Sequence, residues 1–592
     1  MKKREEIDNK YKWDLSSRCL NDNDFDIRLE NLHKKNQEIL AFQNTLKDDD
    51  KLFECLEFDS LMGQKYSVLL NYCFNRQNEN STEQNANEMV EKGTKIVTEY
   101  DVNASFVVPE ICKFSESKIK GLMSNPKFKN YNRFFEGILR HKKHSLSVKE
   151  EKILSATHEF SSAFSDIFFK FDSADIRFED VVDSSGAKHE LNHSNAIEYF
   201  ESKDSVLRED AYKKLNGEYG KYINFLSTNY LSHIKADSFY ANVRKYPSSL
   251  YASIYNEEAS EKVYKTLIQK VHENVGLFYD YMELKRKLLK QNKIKISDCF
   301  APVVDNVAKT YTYDEAIEIV KQAVKPLGEE YVGLIQLAKD EKWIDVYPNE
   351  GKDTGAYCSG AYGVHPVVLT NFTGNLNSVF TLAHELGHAM HSHFSDRQPF
   401  QTHDHTIFVA EVASTVNEML LFNYLLSKSA TTEEKMYLYD RLFTEVKGTI
   451  YRQTMFAEFE EIVHEKFEKK EPLSKDKLCS IYYDLNKFYF GEKVELLDEV
   501  QFEWARIPHF YTSFYVYKYA TGLITALSLS NDIFNKKENA KERYLNFLSS
   551  GSSLPPVELL KNAGFNLEKP ESFDKIFDYL KDKLNEWKLL IK

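Results

Sequence analysis

The stretch Phe380–Phe394, FTLAHELGHAMHSHF, sets two histidines four residues apart, with a glutamate directly after the first and a glycine directly before the second. Apolar Phe380, Leu382, Ala383, Leu386 and Met390 recur between the polar residues at steps of three and four, so the segment reads as a helix buried over much of its surface. Asn375 and Asn377 precede it as candidate N-caps. Residues four apart on a helix differ by about 40° around the axis, so His384 and His388 project from one face and can grip one ion. Glu385 lies about 100° further round, outside that grip but able to reach a water beside the ion. Gly387 costs about 1 kcal/mol in a helix interior relative to alanine, which predicts a close approach by another part of the chain. Buried imidazoles and a buried carboxylate need partners, and a dication satisfies all of them.

A catalytic zinc site takes a third protein ligand and keeps one position for water. Continuation of the motif to a glycine and then a third histidine on the same helix is excluded, because the two positions concerned hold His391 and Phe394. A glutamate from a second helix is the other solution. The segment FVAEVASTVNEML offers Glu411, 23 residues after His388, and Glu418 two turns further on the same face. Glu411 is the expected third ligand and Glu418 a carboxylate that orients a ligating histidine. His391, His393, His403 and His405 complete no ligand spacing and read as histidines around a turn.

Outward from this pair, only 13 Pro and 21 Gly interrupt 592 residues, and most segments show helical periodicity. Residues 52–74, 196–226, 257–289 and 432–467 each read as long amphipathic helices. Two places depart from that pattern. Asp175–Leu191 alternates around Ser-Ser-Gly and reads as a β-hairpin. Ahead of the histidine helix, Gly351, Gly355, Gly360, Gly363 and Gly374 crowd together, and Val367, Val368, Leu369 and Thr370 read as a short strand whose free edge could pair with an extended peptide.

The aromatic content, 36 Tyr and 41 Phe, is that of a folded chain. The net charge of −13 argues against phosphate-backbone or anionic-lipid binding, so neither nucleic acid nor membrane is an expected partner. Seven scattered cysteines, none spaced Cys-x-x-Cys, fit a reducing cytoplasm. The basic start is followed by acids rather than an apolar run, so no standard export signal is expected.

Taken together, FTLAHELGHAMH and AEVASTVNE resemble the M3 family of zinc metallopeptidases, in its oligoendopeptidase F branch. The resemblance extends to KWDLSS, LRHKKHSLSVKEEKIL, GAYCSG and RIPHFYTSFYVYKYATGL. It implies a mainly α, elongated multi-helix body with a deep substrate channel and a small β-sheet near the zinc helix. It implies an N-terminal helical region over 1–195 and a catalytic domain over 196–592. It also implies one Zn2+ per chain on His384, His388 and Glu411, with Glu385 as catalytic base. His509 and tyrosines that follow it would then face the oxyanion of the tetrahedral intermediate; Tyr515 is the expected donor and Tyr511 the second, with Tyr517 and Tyr519 also in that run. The implied substrates are short oligopeptides cut at internal bonds by a monomer or weak homo-oligomer. Two other readings stay open: a zinc exopeptidase of the carboxypeptidase or dipeptidyl carboxypeptidase type, and a non-catalytic helical peptide-binding protein with a structural metal.

Overall fold

The computed structural model describes residues 2–304 and 309–591. It is mainly α-helical, with few and short strands. The chain forms two compact units, each gathered from three stretches. The first takes Met1–Lys143, Ala308–Ser427 and Leu529–Phe565, and the second His144–Val307, Lys428–Ser528 and Asn566–Lys592. Neither unit coincides with a division at residue 195.

In the first unit, helix Asp49–Glu79 starts where the Asp48 carboxylate accepts from the Asp50 and Lys51 amides. It packs against helix Gln84–Ala104, and their buried Cys55, Leu69, Cys73, Met89 and Ile96 close one core with Phe25 and Leu29. That core also takes in Val367 and Leu369 of a three-stranded sheet. Strand Val364–Leu369 is the middle strand, parallel to Ile344–Asp345 on one side and antiparallel to Tyr357–Ala361 on the other. Gly363, at φ 79°, makes the turn between the last two.

This corrects the expectation of a free edge at 367–370. Val367, Val368 and Leu369 are at most 1% exposed, Val368 and Leu369 are paired on both sides, and Thr370 lies just past the strand with its hydroxyl on the Val346 carbonyl. An unbroken Val-Val-Leu run marks a strand covered on both faces, which suits an interior position better than an edge. The longer outer strand of the sheet is Tyr357–Ala361, where the Asn71 amide donates to the Gly360 carbonyl at 3.2 Å. Buried Lys352 binds the segment that follows the first strand to the sheet, through Asp345 Oδ1 at 2.7 Å and the Tyr347 and Thr370 carbonyls at 2.8 and 2.6 Å.

In the second unit the expected hairpin is two residues a side, Val181–Val182 against Lys188–His189. The helix expected over 257–289 is two, Glu261–Glu273 and Val275–Leu288. They part at Asn274, whose side-chain amide donates to the Lys270 carbonyl and competes with the backbone ladder. The buried Glu503 carboxylate joins three elements: it accepts from Arg452 at 2.8 Å, Arg506 at 2.9 Å and the Tyr482 hydroxyl at 2.8 Å. Burial alone would raise its pKa, but the two guanidiniums overcome that and hold it at about 2.

Candidate metal centre

Helix Leu376–Ser395 begins at Asn375, whose side chain accepts from the Ser378 amide at 2.8 Å. Of the two caps considered, Asn375 is the one used. The apolar face of this helix is fully buried, with Phe380, Leu382, Ala383, Leu386, Met390 and Phe394 at most 1% exposed. It crosses helix Ile407–Lys428 at Gly387. A Cβ on residue 387 would meet Ser414 Cα at 2.6 Å and the Ala413 carbonyl oxygen at 2.8 Å, so only glycine lets these backbones come so close. Asn417 fixes the crossing, donating to the Ala383 carbonyl at 3.0 Å while the buried Tyr331 hydroxyl donates to its Oδ1 at 2.8 Å.

The crossing brings the expected side chains together. Glu411 Oε2 lies 3.4 Å from His384 Nε2 and 3.5 Å from His388 Nε2. Two bonds of about 2.05 Å at a tetrahedral angle separate their donor atoms by about 3.3 Å, so this spacing suits a zinc-sized ion. The Ser414 hydroxyl donates to Glu411 Oε2 at 3.0 Å and aims the carboxylate. Glu418 Oε1 stands 2.6 Å from His384 Nδ1. Proton donation there leaves the Nε2 lone pair facing Glu411 and His388.

Charge tells the same story. Burial lowers the pKa of His384, yet the Glu418 hydrogen bond and the surrounding carboxylates outweigh it and raise it to about 9. The His388 hydrogen bond, against burial, takes Glu411 down to about 2. Three carboxylates around two imidazoles leave the site short of positive charge, and a dication is what this donor set fits. Glu385 is 6% exposed, its Oε2 is buried with no hydrogen-bond partner, and burial pushes its pKa up. Among the described residues, His384, His388 and Glu411 are the only cluster of three metal-ligating side chains. His391 stacks on His405 at 3.8 Å and is buried rather than at the surface; His403 pairs with Asp396 at 3.0 Å, and neither belongs to a second cluster.

The second unit carries the other expected residues. His509 and Tyr515 have ring centroids 6.4 Å apart, and the Tyr519 hydroxyl is 3.4 Å from His509 Nε2. Tyr511 turns to a different group: it stacks on Phe168, and the Asn229 amide donates to its hydroxyl at 3.0 Å. Tyr517 is buried and donates to Glu257. The tyrosine side chains that meet the His509 ring are therefore those of Tyr515 and Tyr519, while that of Tyr511 is engaged by Phe168 and Asn229. Between them and His509, Phe514 adopts φ 61° and its amide donates to the buried Glu460 Oε1 at 2.9 Å, which fixes the path of the loop. Sequence reading passed over Ser414 and Asn417, and placed Tyr519 in the run without singling it out. A serine one turn beyond Glu411 and an asparagine inside an otherwise apolar helix were available signals.

The family model described as Peptidase family M3 matches residues 199–579, and the one described as Oligopeptidase F matches 110–178. The chain is 36% identical over 544 residues to oligopeptidase PepF of Bacillus subtilis, covering 92% of this chain and 81% of that protein. It is 33% identical over 598 residues to an oligoendopeptidase F homolog of Lactococcus lactis, covering 100% and 99%. Among solved structures, oligoendopeptidase-F from Enterococcus faecium superposes with a TM-score of 0.74 at 30% identity, covering 96% of this chain and 99% of that one.

Proposed function

The chain belongs to peptidase family M3 and is a metallopeptidase acting on peptides; we propose that its metal is one zinc ion on His384, His388 and Glu411, and that it cuts short oligopeptides at internal bonds. The observation that carries this reading is the convergence of three donor atoms beside the buried, unpartnered oxygen of Glu385.

The ion, when bound, supplies a Lewis acid that polarises a carbonyl and makes water acidic enough to ionise near neutral pH. Glu385 takes the proton from the attacking water and returns it to the leaving amine. Its raised pKa suits that traffic, since burial makes the protonated form accessible. Glu418 keeps the His384 proton on Nδ1, and Ser414 holds the rotamer of Glu411. His509, with Tyr515 and Tyr519, is the donor set assigned to the developing oxyanion.

Peptide backbone is assigned to the outer strand Tyr357–Ala361 rather than to 367–370. This edge strand stands close to the base: the Cys358 thiol has its pKa pushed up first by burial and then by Glu385. Backbone pairing there would tolerate many sequences.

No helix among the described residues is long and apolar enough to cross a membrane, and all seven cysteines are free thiols, which supports a cytoplasmic setting.

The test is metal content and peptide hydrolysis measured side by side, before and after chelation, with mass spectrometry of a peptide blocked at both ends. One zinc per chain, loss of both signals on chelation, and internal cuts are expected. Cleavage that persists without metal, or a blocked peptide left intact beside a trimmed unblocked one, would overturn the reading.

A further inference from the structure

The second unit holds a cleft of about 420 Å³ to which the mechanism above gives no role. That is large enough for one long side chain, at the lower end of the range for ligand pockets. Tyr240, Tyr246 and Phe514 give it aromatic walls. Ser513 and Phe514 also line it, and in the chain they stand between His509 and Tyr515, on the loop that Glu460 fixes.

Asp237 supplies it with a carboxylate oxygen that nothing among the described residues occupies. The Ser513 hydroxyl donates to Asp237 Oδ2 at 2.6 Å, and His464 Nε2 and His233 Nε2 stand 3.3 and 3.5 Å from the same oxygen. All three contacts fall on Oδ2, and Oδ1 has no partner among the described residues. Arg244 and Glu151, the other charged side chains of the lining, saturate each other with paired contacts of 3.0 and 2.9 Å, so the guanidinium is not free to neutralise Asp237. Burial pushes the Asp237 carboxyl up, but His464, His233 and Ser513 together hold it below the usual range, so it stays ionised. Asp237, His233 and His464 form no metal-ligand group. A half-buried carboxylate with two imidazoles on one oxygen, no lysine or arginine on the other and aromatic walls is suited to an organic cation.

We propose that this cleft is a subsite for a lysine or arginine side chain of the peptide, with Asp237 Oδ1 as its counter-ion and Tyr240 and Tyr246 against its methylene stem. Its role as a subsite rests on the peptidase reading above; the recognition of a cationic side chain does not. A peptide that engages the donors on the His509–Tyr515 loop runs past a wall of the cleft made by the same loop, so the occupant is a side chain of the chain being cut.

The experiment uses the full-length, metal-loaded protein and two blocked hexapeptides that differ only in one central residue, arginine or glutamine. Binding is measured by calorimetry on the Glu385→Gln variant, and cleavage on the wild type. The arginine peptide should bind about tenfold tighter. Asp237→Asn, which keeps an acceptor for Ser513, should abolish that difference while leaving the glutamine peptide unchanged. Ser513→Ala, which loosens the loop but keeps the charge, should preserve the difference. Arginine selectivity in binding without any cleavage would support the subsite and count against the peptidase reading alone. Equal binding of the two peptides at every central position, or selectivity that survives Asp237→Asn, would overturn the subsite.

Discussion

Replacing Gly387 by alanine tests whether the metal site depends on how closely two helices cross. The added Cβ would sit 2.6 Å from Ser414 Cα and 3.0 Å from Ser414 N, backbone atoms that cannot swing aside. Restoring ordinary contact at 3.4 Å requires a separation of about 0.8 Å between the helix that carries His384 and His388 and the helix that carries Glu411. Metal–ligand distances tolerate about 0.2 Å, so the shift exceeds what coordination absorbs. Stability alone would be a poor readout. Overpacking costs about 1–3 kcal/mol, while alanine recovers about 1 kcal/mol of helix propensity, and the two partly cancel. Zinc affinity has no such compensation, and it should fall about ten- to a hundredfold, comparable to loss of a supporting contact. Competition against a chromophoric chelator measures it, with circular dichroism confirming an intact helical fold. A folded Gly387→Ala protein that binds zinc within twofold of wild type would show that the crossing does not set the ligand geometry.

Glu385→Gln should keep zinc and lose about two to four orders of magnitude in turnover, measured as kcat at saturating metal; normal cleavage would remove Glu385 as the base. Among the tyrosines, Tyr515→Phe or Tyr519→Phe should lower kcat by up to about a hundredfold. Tyr511→Phe should leave kcat nearly unchanged and cost about 1 kcal/mol in urea unfolding, because it deprives the Asn229 amide of one partner. Acid should loosen the second unit through Glu503. Its folded pKa of about 2 lies below the unfolded value of about 4.3, so its contribution is complete above that value and is lost as pH falls toward 2. That contribution is on the order of 3 kcal/mol, and Glu503→Gln should flatten the acid dependence of the unfolding midpoint between about pH 4.3 and 2.

The convergence of His384, His388 and Glu411 was legible because its grammar is local. His384 and His388 are one turn apart, Gly387 between them announces a close neighbour, and Glu411 and Glu418 repeat the same period on the next helix. What was not legible depends on partners distant in sequence. Nothing in Val367–Leu369 names Ile344–Asp345 as a second neighbour, because that strand is two residues long and carries no alternation to read. The boundaries of the compact units were hidden for a related reason. One exchange falls between Ser427 and Lys428, at the end of helix Ile407–Lys428, and another between Ser528 and Leu529, inside helix Tyr517–Phe534, where no proline, glycine or linker marks it.

The tyrosine run shows where spacing arguments fail. Tyr511 ends a short helical turn, Pro508–Tyr511, and Tyr519 belongs to helix Tyr517–Phe534. Between them the backbone at Phe514 takes a left-handed conformation held by Glu460, a residue from another helix. A helical period cannot be carried across such a break, so the spacing of Tyr515 and Tyr519 from His509 does not by itself say which of them faces it. The same loop sets Ser513 against Asp237, so two non-local hydrogen bonds, Phe514 to Glu460 and Ser513 to Asp237, hold the segment between His509 and Tyr515 beside the cleft proposed as a cationic subsite.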